Sequence, residues 1–123
     1  RELFAGVNAA TAEVLAAAGC EVAVPARQGC CGALRLHAGD RAGAQALARA
    51  NIEAFADGSD LIVSNAAGCG ALLREYGELL GDDPLWAERA RAFAAQVRDV
   101  SEVLDGFGFA PAGAAPALRV TCH

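Results

Sequence analysis

The sequence predicts an α/β domain in which helices flank a mostly parallel sheet. Stretches with helical apolar spacing alternate along the chain with short, valine- and isoleucine-rich runs of strand character. Alternation of this kind favours parallel strands joined by right-handed crossovers. The chain has 123 residues, of which 54% are hydrophobic and 20% charged, a balance that supports one folded domain with a buried core.

The first predicted elements are a helix and a strand. Apolar residues recur at helical spacing over residues 7–18, and Gly19 is placed to end the helix. The segment CEVAVP alternates and is rich in valine. It therefore predicts a strand over residues 20–24 that Pro25 closes.

A second helix and strand follow a glycine-rich loop. Asp40 is placed as the N-cap of a helix that ends near Gly58. Its apolar stripe consists of Ala44, Leu47, Ala48, Ile52 and Phe55. The segment DLIVSN at residues 60–65 is a short apolar run, typical of a strand buried on both faces of a parallel sheet. The turn AAGCG at residues 66–70 and a helix over residues 71–80 are predicted next.

The last third of the chain predicts a helix, a mixed segment and a linker. The residues DDP at 82–84 open a helix. That helix carries Trp86, Ala90, Phe93 and Val97. Residues 97–108 are predicted to be strand-like or irregular at first and then helical. Residues 111–117, PAGAAPA, are expected to form a linker, and residues 118–122 a final strand.

Five cysteines carry the most informative chemistry of the chain. The odd count excludes complete pairing into internal disulfides, and the reducing cytoplasm is the expected compartment. Cys30 and Cys31 follow the first predicted strand, and Cys69 follows the second. Loops that leave neighbouring parallel strands converge at the carboxyl edge of a sheet. We therefore expect these three thiols to lie close together.

Glycines surround the three cysteines and are expected to support them. They are Gly29, Gly32, Gly68 and Gly70. Glycine lets backbone N–H groups approach sulfur closely, and such donors stabilise the thiolates that bind a cluster. Cys69 also stands where a helix is predicted to begin, so its thiolate would feel the positive end of the helix dipole. The predicted cofactor and metal ligands are therefore Cys30, Cys31 and Cys69.

The three cysteines supply one ligand fewer than a zinc or iron–sulfur site usually takes. The fourth could come from His37, from a partner, or from chain that precedes Arg1. His37 could instead donate a hydrogen bond to sulfur or serve only the loop, and this supporting role is the expected one.

Other roles for the cysteines stay open from the residues alone. Cys30 and Cys31 could pack in the core, form a vicinal disulfide, or cycle between dithiol and disulfide. Zinc could also hold the loops without any redox chemistry. Cys20 is expected to behave as a small buried hydrophobic residue, and Cys122 is left out of the site.

Charge and motifs exclude several classes of function. The net charge is −5 and the basic residues are scattered, which argues against a nucleic acid partner. No apolar run approaches the roughly 20 residues of a transmembrane segment. There is no phosphate or dinucleotide loop and no Ser/His/Asp arrangement, so no flavin site is expected in this chain, and any hydride chemistry would belong to another subunit. Tyr76 and Trp86 are expected in the core, and Asn65 is expected to fix the turn that follows it.

Three motifs together resemble a known family. They are VLAAAGCEVAVP, CCGALRLHAG and NAAGCGALLREYGELL. The chain resembles the cysteine-rich CCG domain, especially that of the iron–sulfur subunit of bacterial glycolate oxidase (glycolate dehydrogenase), over nearly its whole length. The lactate-utilisation iron–sulfur protein and the cysteine-rich subunit of heterodisulfide reductase are related.

The family pattern consists of a cysteine, then CCG, then CxxC, with gaps of some thirty residues. The CCG motif matches Cys30, Cys31 and Gly32, and the last cysteine of CxxC matches Cys69. The first cysteine of the pattern falls just before residue 1. Ala66 replaces the first cysteine of CxxC, so the non-cubane cluster of the heterodisulfide reductase relatives is not implied.

The resemblance implies an iron–sulfur electron-transfer domain of a glycolate dehydrogenase complex. In such a complex a subunit that carries FAD oxidises glycolate to glyoxylate, and electrons pass through the iron–sulfur subunit toward a membrane quinone. The implied cofactor is an iron–sulfur cluster of the 4Fe-4S type, held by Cys30, Cys31, Cys69 and the upstream cysteine. A fragment without that cysteine is expected to be inactive alone and need not retain the cluster.

The implied organisation is that of a piece of a longer subunit. Residues 1–117 would form a first CCG domain, and residues 118–123 would begin a second CCG repeat. Ferredoxin-like clusters would lie in a separate N-terminal domain. The whole subunit is expected in the cytoplasm, peripheral at the inner face of the cell membrane.

Overall fold

The α/β prediction is confirmed, with helix as the main component. A computed structural model describes residues 5–56, 58–110 and 113. Within these ranges the elements are α1 (Ala5–Ala17), α2 (Ala33–His37), α3 (Arg41–Ala54), β1 (Ile62–Ser64), α4 (Ala67–Arg74), α5 (Tyr76–Leu79), α6 (Ala87–Gln96), β2 (Val97–Asp99) and α7 (Val100–Gly106). The predicted linker apart from Gly113, the predicted last strand and Cys122 lie outside the described residues.

Helix α1 ends as its sequence predicts. Gly19 adopts a positive φ of 97°, a conformation that residues with a Cβ rarely adopt. The Gly19 N–H donates to the Ala16 carbonyl at 3.0 Å, and the Cys20 N–H donates to the Leu15 carbonyl at 3.0 Å. These two bonds form a Schellman motif, which satisfies the last carbonyl groups of the helix.

The predicted strand at residues 20–24 is wrong. This segment has no regular secondary structure, and Val24 is 69% exposed. Val22 is exposed as well, so the alternation of valines does not correspond to one buried face. A short extended segment gains little from its β propensity when no neighbouring strand provides a partner and a packing surface.

Helix α3 confirms the predicted cap and stripe. The Asp40 carboxylate accepts a hydrogen bond from the Gly43 N–H at 2.8 Å, which satisfies one of the free amide groups of the first turn. Ala44, Ala48 and Ile52 are buried along one face. This face forms one wall of the core.

The sheet consists of two short parallel strands. Ile62 in β1 lies opposite Val97 in β2, and the register continues to Ser64 opposite Asp99. The prediction for residues 60–65 is confirmed at its centre. The prediction of a strand-like and then helical segment at residues 97–108 is also confirmed, because β2 leads directly into α7.

The chain after β1 differs from its prediction. The segment predicted as a turn already belongs to α4, and the predicted helix at residues 71–80 is interrupted at Glu75. The Glu75 N–H donates to the Leu72 carbonyl at 2.9 Å, a tighter pattern than that of an α-helix. The interruption leaves Tyr76 completely buried in the core.

The core lies between α3, the β1–α4 region and α6. Tyr76 stacks on Phe93 with ring centroids 5.3 Å apart, and Phe93 meets the edge of Phe55 at 5.9 Å. The buried cluster comprises Ala44, Ala48, Ile52, Ile62, Leu72, Tyr76, Leu79, Leu80, Ala90, Phe93 and Val97. None of the helices within the described ranges has the length and apolar character needed to cross a bilayer.

Candidate cysteine site

The CCG segment turns sharply into α2 at Gly32. Gly32 has φ 97° and ψ 0°. A Cβ at this position would lie 3.3 Å from the Cα of Ala44 and 3.4 Å from its carbonyl oxygen. Both the backbone conformation and the close approach to α3 therefore require glycine.

The two adjacent cysteines occupy different environments. Cys31 is buried, with 7% exposure, whereas Cys30 is exposed. The Gly32 N–H donates to the Cys30 Sγ at 3.5 Å. This backbone donor is of the kind that stabilises negative charge on cluster-bound sulfur.

Asn51 of α3 forms hydrogen bonds with the backbone of the cysteine segment. Its Oδ1 accepts a hydrogen bond from the Gly29 N–H at 2.9 Å, and its Nδ2 donates to the Cys30 carbonyl at 2.9 Å. Nδ2 also donates to the hydroxyl oxygen of Tyr76 at 3.1 Å. Asn51 is only 3% exposed, so these contacts satisfy an amide that water does not reach.

Tyr76 of α5 completes the support. Its hydroxyl donates to the Cys31 carbonyl at 2.7 Å while it accepts from Asn51. Tyr76 was expected to be a core residue and is one, but it also contacts the cysteine segment. Asn51 was not among the residues predicted from the sequence, although a polar residue on the buried face of α3, next to Ile52, is the pattern that could have revealed it.

Cys69 lies in the first turn of α4 and meets the cysteine pair. Burial, a hydrogen bond with the Cys31 thiol and the neighbouring charges of Cys31 and Cys30 raise the pKa of Cys69 to about 11. Burial raises the pKa of Tyr76 to about 12; the hydrogen bond from Asn51 opposes this rise, and the nearby cysteines add to it. The structure thus brings Cys30, Cys31 and Cys69 together beside Tyr76.

Cys69 stands at the start of a helix, as the sequence predicts, because it lies in the first turn of α4. Its sulfur is also partly removed from water and lies near the two other cysteines, so the pKa of Cys69 is above its ordinary value of 9.0. Stabilisation of a Cys69 thiolate by the helix dipole stays a prediction.

The other predicted supporting residues differ in their surroundings. His37 is exposed at the end of α2. Gly70 packs against Ser64, where an added Cβ would lie 3.4 Å from the Ser64 Oγ, whereas no atom lies within 4 Å of a Cβ added at Gly68. Asn65 reaches α1 instead of its own turn, since its Nδ2 donates to Asn8 Oδ1 and Thr11 Oγ1, each at 3.0 Å.

The cysteines supply the ligand type that an iron–sulfur cluster takes. Cys20, Cys30, Cys31 and Cys69 are all free thiols, so the vicinal pair is not joined in this structure. Across residues 5–56 and 58–110, no three His, Cys, Asp or Glu side chains are arranged to hold a metal ion. The fit to a cluster therefore consists of the ligand type, the proximity of Cys69 to Cys31 with Cys30 nearby, and one backbone N–H that donates to the Cys30 sulfur.

Comparisons with known proteins give the chain its relatives. It is 48% identical over 103 residues to the probable glycolate oxidase iron–sulfur subunit of Bacillus subtilis. The matched region covers 83% of this chain and 23% of that protein. It is 39% identical over 106 residues to the glycolate oxidase iron–sulfur subunit of Escherichia coli, covering 83% and 26% respectively. Lactate utilization protein A of Bacillus subtilis is 34% identical over 118 residues, covering 95% and 49%.

The chain spans only part of each of these relatives, about a quarter of the glycolate oxidase subunits and about half of lactate utilization protein A. No solved structure matches it. The family model described as the CCG cysteine-rich domain matches residues 1–74, which include all three cysteines of the candidate site. The chain therefore belongs to the CCG cysteine-rich domain family.

Proposed function

We propose that this domain binds an iron–sulfur cluster and carries electrons within a complex that oxidises glycolate. The proposal rests on one observation above all. Cys30 and Cys31 of one segment lie near Cys69 in the first turn of α4 and near a buried tyrosine, and a backbone N–H donates to the Cys30 sulfur. The iron–sulfur subunits among the relatives make a cluster the cofactor to expect in the full-length protein.

Each residue of the site has a defined role in this proposal. Cys30, Cys31 and Cys69 would be the ligands, with a fourth ligand from elsewhere in the full-length protein. A bound cluster supplies one-electron transfer. The Gly32 N–H stabilises charge on the Cys30 sulfur, and burial of Cys31 limits access of water to that side of the site.

The relatives named as glycolate oxidase subunits support a place for the domain after the oxidation of glycolate. Glycolate gives up two electrons and two protons when it becomes glyoxylate, and a flavin on a partner subunit would accept them. This domain would pass the electrons onward one at a time until a quinone has received two. The chain itself would perform no chemistry on glycolate, so the isolated domain is expected to be inactive.

The surrounding organisation is part of the same proposal. Residues 1–117 would be the first of two CCG domains, and residues 118–123 would open the second. The cluster would be of the 4Fe-4S type. The assembled subunit would work in the cytoplasm, at the inner face of the cell membrane.

The cluster can be tested on the full-length subunit purified without oxygen. Iron, acid-labile sulfide and zinc are measured together with visible absorption, in wild type and in Cys69→Ser. The variant should lose the iron of one cluster per chain while the clusters of other domains remain. Cys20→Ser is the matched control, because Cys20 is a half-buried thiol at the end of α1. Full iron content in Cys69→Ser, or zinc in place of iron, would contradict the proposal.

The substrate is tested separately in the complex reconstituted with its flavin subunits. Glycolate should bleach the visible absorption of the cluster within one turnover, and Cys69→Ser should remove the part of the bleaching due to this domain. Lactate is the comparison substrate, since lactate utilization proteins are also relatives. If lactate bleaches the cluster and glycolate does not, the substrate assignment is wrong although the electron-transfer role stands.

A second candidate function is thiol–disulfide chemistry between Cys31 and Cys69. The proximity of Cys31 to Cys69, which helps to raise the pKa of Cys69, favours it. The reactive pair would then join the CCG segment to the first turn of α4 instead of joining adjacent residues. Two thiols would reduce one molecule of a disulfide oxidant such as oxidised glutathione and release two molecules of reduced glutathione. Iron-free protein with a Cys31–Cys69 disulfide after exposure to that oxidant would support this alternative.

A further inference from the structure

The cysteine segment obtains its shape from two side chains that lie far away in sequence. Residues 20–31 have no sheet partner and no regular secondary structure. Three consecutive residues of this segment instead bond to α3 and α5, through the Gly29 N–H, the Cys30 carbonyl and the Cys31 carbonyl. These contacts fix the backbone of both cysteines without using their sulfur atoms.

The two supporting side chains form one saturated unit. Both protons of the Asn51 amide are donated, one to the Cys30 carbonyl and one to the hydroxyl oxygen of Tyr76. The single proton of that hydroxyl is donated to the Cys31 carbonyl. Asn51 is 3% exposed and Tyr76 fully buried, so loss of either partner leaves a polar group without water as a substitute.

The aromatic core fixes the position of the hydroxyl. The ring of Tyr76 stacks on Phe93 at an interplanar angle of 23°. A shift of the ring would disturb this stack, so the position of the hydroxyl oxygen is fixed by the core. Through its hydrogen bond to the Cys31 carbonyl, this oxygen restrains the backbone of the cysteine pair.

We infer that Asn51 and Tyr76 are positioning residues that hold Cys30 and Cys31 in the orientation needed to bind a cofactor. The part of this inference that concerns a cluster rests on the proposed function, while the part that concerns the cysteine backbone does not. Neither residue touches the reacting atoms. Both act through the backbone carbonyls of the cysteines.

The test without a cluster uses cysteine reactivity. In the cluster-free full-length subunit under reducing conditions, iodoacetamide should label the exposed Cys30 quickly and the buried Cys31 slowly. Tryptic cleavage gives the peptide of residues 28–35, and fragmentation between the two cysteines separates their rates. Tyr76→Phe and Asn51→Leu should each accelerate labelling of Cys31 by about tenfold, because the segment opens locally once its carbonyl bonds are lost.

Gln45→Leu is the matched control. Gln45 lies on the same helix as Asn51 and donates from its amide to the Leu79 carbonyl at 3.0 Å. Its loss removes an equivalent bond without touching the cysteine segment, so the labelling rate of Cys31 should stay within about twofold of wild type. Equal acceleration in all three variants would show a general loss of stability and overturn the inference. Tyr76→Phe alone decides the question if Asn51→Leu does not fold, since it removes one oxygen and keeps the ring.

The test with a cluster measures its reduction potential and the rate at which a chelator removes iron. Tyr76→Phe should shift the potential and accelerate iron loss by about tenfold, whereas Gln45→Leu should leave both unchanged. An unchanged potential and release rate in Tyr76→Phe would overturn the part of the inference that concerns the cluster. If Cys69→Ser keeps its iron, the proposed function fails, but the labelling of Cys31 still confirms or refutes the positioning role.

Discussion

The two glycine-rich regions that carry the candidate cysteines are alike in composition and different in support. Both follow a short run that contains valine. Cys69 lies in the first turn of α4, and local neighbours hold this turn because the strand before it, β1, pairs with β2. The segment that carries Cys30 and Cys31 has no such neighbours and depends on Asn51 and Tyr76. Two regions of similar composition are therefore held in place by different means, one local and one long-range.

Local support of the Cys69 turn centres on Ser64. Its hydroxyl donates to the Ala66 carbonyl at 3.1 Å and lies 3.3 Å from the Ala66 nitrogen, whose N–H it accepts. Ala66 is the N-cap of α4 and offers no side-chain acceptor. Ser64 thus fixes the N-cap residue itself from the end of the strand, while the first turn of α4 has no side-chain cap.

The largest difference between the loops should appear when a methyl group is added to a glycine in each. Gly32→Ala should lower the free energy of unfolding by about 2–3 kcal/mol, because it combines a positive φ with a close contact to the backbone of Ala44. Gly68→Ala is the matched change in the other loop. It should stabilise the domain by up to about 1 kcal/mol, because it replaces a helical glycine in open space.

Urea denaturation of both variants measures the two effects. Equal destabilisation by both substitutions would mean that the two loops are constrained in the same way. The Cys69 turn would then be as intolerant of a Cβ as the segment at Gly32.

A smaller effect is expected from Ser64→Ala. The substitution removes both hydrogen bonds to Ala66 from a buried position and should cost about 1–2 kcal/mol of the free energy of unfolding. Because the cysteine pair is held separately, labelling of Cys31 by iodoacetamide should remain close to wild type. Acceleration as large as that of Tyr76→Phe would show that the two loops open together.

The smallest expected effect is on the pH dependence of the free energy of unfolding, and it concerns the junction where β2 leads into α7. Here Asp99 is an acidic N-cap that forms a capping box with Glu102, and Arg74 forms an ion pair with Glu102. Hydrogen bonds from Ser101, first through its side chain and then its backbone, hold the pKa of Asp99 below its ordinary value of 3.8. The backbone N–H of Asp99 and the Arg74 side chain hold the pKa of Glu102 below 4.5.

Carboxylates with lowered pKa values stabilise the fold at neutral pH and lose this contribution as pH falls through their folded-state values. The free energy of unfolding should therefore fall between about pH 6 and about pH 3, and it should fall less steeply in the double variant Asp99→Asn, Glu102→Gln than in wild type. In Ser64→Ala it should fall as steeply as in wild type, because the turn at Ser64 contains no ionised cap. An identical slope in the double variant and wild type would exclude this junction as a source of the pH dependence.

The elements that local rules govern could be predicted from the sequence. The end of α1 at Gly19 and the Asp40 cap are each determined by residues within a few positions. The apolar run at residues 60–65 predicted β1, although its pairing depends on the distant β2. The approach of Cys69 to the cysteine pair was predicted from a strand that is not formed. Cys69 nevertheless lies near Cys31, because α4 and the CCG segment both pack beside Tyr76.

The parts that could not be predicted depend on distant residues. Whether residues 20–24 form a strand depends on a neighbouring strand, and no such strand lies beside them among the described residues. The role of Asn51 depends on the position of the Tyr76 hydroxyl. Tyr76 begins α5, directly after the helix interruption at Glu75. The raised pKa of Cys69 depends on burial and then on Cys31, which is distant along the chain. Ligation by the three cysteines stays a prediction.

The parallel sheet has a consequence for the order of folding. Its two strands are separated by residues 65–96, which include three helices, so no tight turn can bring them together. Closing that long loop costs entropy before any bond between the strands forms, whereas the helices form from near neighbours. We expect the amide protons of α3 and α6 to gain protection from hydrogen exchange earlier in refolding than those between β1 and β2. The two strands would then pair last, after the helices have packed against one another.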